Sequence, residues 1–151
     1  PVDGEVTIGI QELHPVWLHQ YLDRLVPLFR TGTIRYLLSA VQSGSPAVLK
    51  RMQRFPDVAR MRDCFPQLRT AYPFLRLETQ IIIGYPGETD ADFDLTIAFL
   101  KEVGFHKVGL YKFDPKPGTV AADLPDQVPA AAIAARLAKI KSVLTTIELV
   151  E

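Results

Sequence analysis

Cysteine is almost absent: Cys64 is the only one in 151 residues. A single thiol excludes an intrachain disulfide framework and any multi-cysteine metal site built from this chain alone, and it fits a reducing, cytoplasmic setting. Net charge is missing too, because 17 basic residues balance 17 acidic ones. The whole-chain field therefore lacks the phosphate attraction of a dedicated nucleic-acid binder, so such a partner requires local charge or another domain. No apolar run approaches the roughly 20 residues that a membrane-spanning helix needs. The opening Pro1-Val2-Asp3-Gly4 has no basic segment followed by an apolar one, so the chain is expected to be neither membrane-bound nor secreted. It begins abruptly on a strand-like segment, and the expectation is an N-terminally truncated piece of a longer protein. Linkers, low-complexity tracts and close repeats are also lacking, and residues 1–151 are expected to form one domain.

What is present is an ordinary globular composition, 48% hydrophobic and 23% charged, with enough apolar material for one core. Val6, Ile8 and Ile10 alternate with Thr7, Gly9 and Gln11, the period of a strand, and His14-Pro15 starts a helix that Pro27 is expected to kink or end. Thr33 to Val41 reads as a second strand. Ser45 can cap a helix beginning at Pro46, and Asp57 another that holds Val58, Met61, Phe65 and Leu68 on its apolar face, with a bend at Pro66. Leu75 to Gly84 is a third strand, and its run Ile81-Ile82-Ile83 suits a parallel strand covered on both faces. Thr89 with Asp92 reads as a capping box ahead of Phe93, Ile97 and Leu100. Val108 to Phe113 is a fourth strand. After Pro129, the stripe Ile133, Leu137, Ile140, Leu144 and Ile147 predicts a long helix over 130–150 that packs at the end of the domain.

Strand-then-helix units in succession give an α/β fold: a parallel sheet of about four strands with flanking helices, either part of a (β/α) barrel or a small open sheet. Both place the site at the strand C-terminal ends. Those ends hold Glu12, Gln42-Ser43, Gly84 to Glu88, and Phe113-Asp114. In Ile83-Gly84-Tyr85-Pro86-Gly87-Glu88-Thr89, glycines and a proline leave a buried strand just before a capped helix, so backbone can approach a ligand closely. Val41-Gln42-Ser43-Gly44-Ser45 repeats that architecture one unit earlier, with the Gln42 amide offering both donor and acceptor. A plain turn accounts for either segment by itself; the two together in one parallel sheet are less easily explained as turns.

The phrases VQSGSPAVLKRMQR, TQIIIGYPGETDADF and YKFDPKPGT, in this order, resemble the methylthiotransferase branch of the radical S-adenosylmethionine (SAM) superfamily, and AADLPDQVP resembles the stretch that follows the barrel there. The resemblance implies the C-terminal part of a radical SAM barrel, with SAM as cofactor and a [4Fe-4S] cluster in the full-length parent only, since the CxxxCxxC loop that holds the cluster is not in this sequence. It also implies SAM-binding roles. Gln42, with Ser43 beside it, would reach the ribose or amino-acid moiety, Arg54 would pair with the carboxylate, and Ile82 would pack on the adenine. Phe113 and its backbone would enclose the adenine edge, Glu12 would take the ammonium or ribose, and Gly84 to Glu88 would form the turn at the third strand's end. Gln80 stands where that branch usually has aspartate, Asp114 replaces a serine, and Lys116 an arginine. His14, His19 and His106 are not spaced as a metal site, and Cys64 lies on an apolar helical face.

The resemblance implies that the parent is a methylthiotransferase modifying tRNA. A ribosomal-protein methylthiotransferase or another radical SAM oxidoreductase is the first alternative, and a non-catalytic SAM- or nucleotide-binding or dimerising half-barrel is an alternative of another class. This chain alone is expected to be inactive. A barrel cut along one edge also exposes a strand, which predicts a homodimer.

Overall fold

The computed structural model describes residues 6–151, and the Pro1-Val2-Asp3-Gly4 opening lies outside the described residues. Five parallel strands lie side by side in chain order: β1 Ile8–Ile10, β2 Ile34–Leu38, β3 Arg76–Ile83, β4 Lys107–Lys112 and β5 Glu148–Val150. Between them run α1 Pro15–Gln20, α2 Leu22–Arg30, α3 Pro46–Arg51, α4 Val58–Ala71, α5 Asp90–Val103 and α6 Ala130–Val143. A sheet that grows in one direction, each strand beside its predecessor, keeps every crossover on the same face when the crossover hand is constant. The result is an arc of a (β/α) barrel with helices on one face only.

Side-chain alternation follows from that layering. Along β3, Leu77, Thr79, Ile81 and Ile83 are buried, and the three aliphatic ones join a core with Leu37, Met61, Phe65, Phe93, Phe99 and Leu110. Gln80 and Ile82 are only half-buried on the other face, so the apolar run in β3 is not covered on both sides. That face opens into a cleft.

The helix ends and bends also differ from the sequence expectation. The final helix ends at Val143, and the chain turns at Leu144 to add β5 in parallel to β4, Leu149 opposite Val108. Ile147 fits a helical stripe and a strand equally well, and the β-branched pair Thr145-Thr146 beside it disfavours further helix. Ion pairs then fasten β5: Glu148 meets Arg76 at 3.1 Å and Lys107 at 3.4 Å, while Arg76 also pairs with Glu78 at 2.6 Å. The first helical stretch breaks at Tyr21, not at Pro27, which lies inside α2; α4 likewise continues through Pro66. No helix among the described residues is long and apolar enough to cross a membrane.

Candidate functional site

Three left-handed residues shape the mouth of the open face. Among the described residues only Glu12, Gln42, Gln53 and Asp126 combine a side chain with positive φ, a conformation that is costly outside glycine and concentrates at functional positions. Glu12 (φ 61°) follows β1. The residue after it, Leu13, is anchored twice, its N–H donating to the Leu38 carbonyl at 3.0 Å and its carbonyl accepting from the Ser39 hydroxyl at 2.7 Å. Gln42 (φ 72°) follows β2 and is stitched onto β3: its N–H donates to the Gln80 carbonyl at 2.8 Å, and its carbonyl accepts from Ile82 N–H at 2.9 Å. Gln53 (φ 54°) ends α3 in a Schellman motif, with Gln53 N–H on the Lys50 carbonyl and Arg54 N–H on the Leu49 carbonyl. That cap throws Arg54 inward.

The side chains so placed meet. Glu12, His14, Ala40, Gln42, Arg54 and Gln80 line a cavity of about 190 Å³. An adjoining one of about 390 Å³ shares Gln42 and Gln80 and extends over Ile82, Tyr111, Lys112, Phe113 and Asp114. The first offers a guanidinium, a carboxylate and two carboxamides, a donor set suited to a zwitterionic α-amino acid. The second offers Ile82 and two aromatic rings, suited to a flat apolar-faced group such as a purine. Phe113 is fixed by its N–H on the Ile83 carbonyl at 2.8 Å and by an edge contact with Tyr85 at 5.2 Å.

Six expected site residues, Glu12, Gln42, Arg54, Gln80, Ile82 and Phe113, thus share one cleft, and three are set apart from it on the helical side. Ser43 is fully buried against α5, its hydroxyl 3.3 Å from that of Thr96. Gly84 (φ 85°) faces α6, where an added Cβ would collide with the Ile133 side chain. Glu88 Oε2 accepts from Gly84 N–H at 2.8 Å and from Arg136 Nη1 at 2.7 Å, so this oxygen is engaged in fixing the turn. Burial pushes the Glu88 carboxyl up, against the pull of the Gly84 N–H and the Arg136 charge. A cavity of about 490 Å³, wider than either part of the cleft, adjoins that ion pair, and there Arg136 spends four of its five N–H groups on Glu88 and Asp90.

The turn after β2 is tied to α5 by a long-range bond between two helix caps that the sequence announces only singly. Ser45 caps α3 and donates to Asp92 at 2.5 Å, and Asp92 completes the Thr89 capping box. Burial alone would raise the Asp92 carboxyl; the donors Ser45 and Thr89, with the Arg51 charge, hold it below the usual range. Gly44 permits the contact, because a Cβ there would sit 2.6 Å from Thr96 Cα and 2.8 Å from the Leu95 carbonyl.

The sequence reading passed over His14, Ala40 and Tyr111 as cleft residues. Tyr111 pairs in register with Ile82, so strand phase was the available signal. His14 does cap α1, its Nδ1 accepting from Val16 N–H at 3.2 Å, and it also faces the cavity. The residues of the cleft suit SAM. They do not suit an iron-sulfur cluster: Cys64 is buried on α4, its thiol pushed up to about 11 chiefly by burial, and no group of three or more metal-ligating side chains exists among the described residues.

No family model matches the chain. Curated relatives do. A ribosomal protein uS12 methylthiotransferase of Actinobacillus succinogenes is 42% identical over 125 residues, spanning 82% of this chain and 28% of that protein. The same-named protein of Pasteurella multocida is 39% identical over 127 residues, 83% of this chain and 28% of its own length. The chain therefore spans less than a third of these relatives. Among solved structures, coproporphyrinogen III oxidase from Escherichia coli, a radical SAM enzyme, superposes with a TM-score of 0.72 at 20% identity, over 91% of this chain and 32% of that one. Elp3 of Methanocaldococcus infernus gives 0.71 at 15% identity, over 95% and 34%. At such identities these two speak to the fold, which is that of a radical SAM barrel. The chain is thus similar to the uS12 methylthiotransferases over less than a third of their length, with the fold of part of a radical SAM barrel, and its 151 residues with their single cysteine contain no CxxxCxxC motif.

Proposed function

We propose that this chain is the SAM-facing part of a methylthiotransferase whose substrate is a ribosomal protein. The observation that carries the SAM reading is the cleft itself: Arg54, Glu12, Gln42 and Gln80 surround one small cavity beside the Ile82, Tyr111 and Phe113 surface. In this reading Arg54 takes the SAM carboxylate in a bidentate fork, Glu12 the ammonium, and Gln42 and Gln80 the ribose, while the adenine lies against Ile82 and Phe113. SAM held there would supply the radical chemistry that the resemblance implies, and a [4Fe-4S] cluster would need ligands other than the residues described. This chain's own residues bind and orient.

The ribosomal-protein substrate, rather than tRNA, is favoured by the names of the relatives, which act on uS12. Calorimetric titration of SAM into the chain tests the site: Gln42→Ala and Arg54→Ala each weaken binding, and undiminished affinity in both refutes the assignment. Expressing the full-length protein in a host without its own methylthiotransferases tests the substrate, by mass spectrometry of uS12 and of tRNA nucleosides. Methylthiolated adenosine with unmodified uS12 refutes the ribosomal-protein reading. Self-association would use the open edge of β1, and a monomeric mass at high concentration would refute it.

A further inference from the structure

His14 has two nitrogens with separate tasks. Nδ1 accepts the Val16 N–H at 3.2 Å and so carries no proton of its own. In the neutral ring the proton must then sit on Nε2, which has no hydrogen-bond partner among the described residues while the side chain lines the cavity with Arg54, Glu12, Gln42 and Gln80. Burial, and then the neighbouring Arg54 charge, hold the imidazole below its ordinary pKa, which keeps the ring neutral and this tautomer in place at neutral pH. The backbone leaves little freedom: Pro15 occupies the first turn of α1, and Glu12 is left-handed two residues earlier.

We propose that His14 is a ligand-binding residue of the cleft, donating its Nε2–H to the carboxylate of the bound amino-acid moiety alongside the Arg54 guanidinium. This rests on the reading of the cleft as a SAM site and adds to it a neutral donor, whose proton is locked on the cavity side by the helix cap on the other nitrogen. A carboxylate has lone pairs enough for both donors, and a cation paired with a neutral donor neutralises it without adding a second positive charge beside Arg54.

Two substitutions separate the tasks of the ring. His14→Asn keeps an acceptor for the cap and loses the donor on the cavity side; His14→Gln gives a poorer cap but carries an amide N–H to about the reach of Nε2. The chain and both variants are titrated with SAM and with 5′-methylthioadenosine, which lacks the amino-acid group, and their melting temperatures are recorded. The expected result is SAM affinity about tenfold to a hundredfold weaker in His14→Asn, with methylthioadenosine affinity and melting temperature unchanged, and SAM affinity largely kept in His14→Gln despite a lower melting temperature. Unchanged SAM affinity in His14→Asn overturns the proposal and leaves the SAM reading standing. Losses of SAM affinity, methylthioadenosine affinity and melting temperature together in either variant reduce His14 to a helix cap and also overturn it. Wild-type chain that binds neither ligand overturns the SAM reading, and this proposal with it.

Discussion

Replacing Arg136 with methionine isolates the ion pair under the third turn. The Arg136 side chain is 8% exposed and that of Glu88 is 1% exposed, so each charge depends on the other, with the Gly84 N–H and the exposed Asp90 as further partners. Arg136→Met preserves the apolar stem and leaves the Glu88 carboxylate buried without a cation. Breaking such a pair from one side costs about 3–5 kcal/mol. At about 2–4 °C per kcal/mol for a chain of this size, the melting temperature falls by roughly 6–20 °C. The sign of the pH response is fixed as well. Burial already raises the Glu88 carboxyl, and loss of Arg136 raises it further; an acid whose folded value is raised favours the folded state at low pH and loses that advantage as pH rises through the folded value. Arg136→Met is therefore less destabilised in mild acid than at neutrality. The double variant Arg136→Met/Glu88→Gln keeps an acceptor for Gly84 N–H, removes the stranded charge, and recovers at least half of the loss. Thermal and urea unfolding followed by circular dichroism measure all three. A single variant as stable as wild type, or a double variant no better than the single, refutes the claim that this pair fixes the turn.

Gly44→Ala forces a Cβ into the backbone of α5 and lowers stability by about 1–3 kcal/mol, the range for overpacking, as read by urea unfolding. Asp92, with its folded value depressed, contributes stability that is present above the ordinary aspartate range and is lost as pH falls through that depressed value. Asp92→Asn therefore costs about 0.5–2 kcal/mol near neutrality, and the cost shrinks in acid; an equal cost at both pH values goes against the capping argument. Cys64, buried and with its thiol near 11, resists alkylation in the native chain and reacts on addition of denaturant, which mass spectrometry detects. Rapid native alkylation would show that α4 does not cover it.

The parts of this fold governed by short-range chemistry were legible. Ser45, Asp57 and Thr89 each cap the expected helix, because a capping oxygen needs only the next few N–H groups to act. The parallel order of strands followed from their alternation with helices. Where two long-range outcomes share one local pattern, the reading failed: Ile147 suits the stripe of α6 and the approach to β5 alike, and pairing with β4 decided between them. The cleft was partly legible. Gln80 and Ile82 could be placed on one face by strand period, and the family resemblance pointed to Gln42 and Arg54. The left-handed turns at Glu12 and Gln53 leave no mark in composition, and whether Glu88 met a ligand or Arg136, 48 residues later, depended on tertiary contact alone.

The left-handed backbone at positions 12 and 42 also governs how the cleft can change over generations of substitution. Asparagine, aspartate or glycine can enter those positions at small cost, whereas valine, isoleucine or threonine would clash with their own backbone. The two strand ends therefore act as filters that admit short polar replacements and reject branched apolar ones. Positions 80 and 82, in regular strand, impose no such restriction. A lineage adapting this cleft to a different ligand would be expected to vary first along β3, while the rim at 12 and 42 keeps its polar character as a consequence of chain geometry.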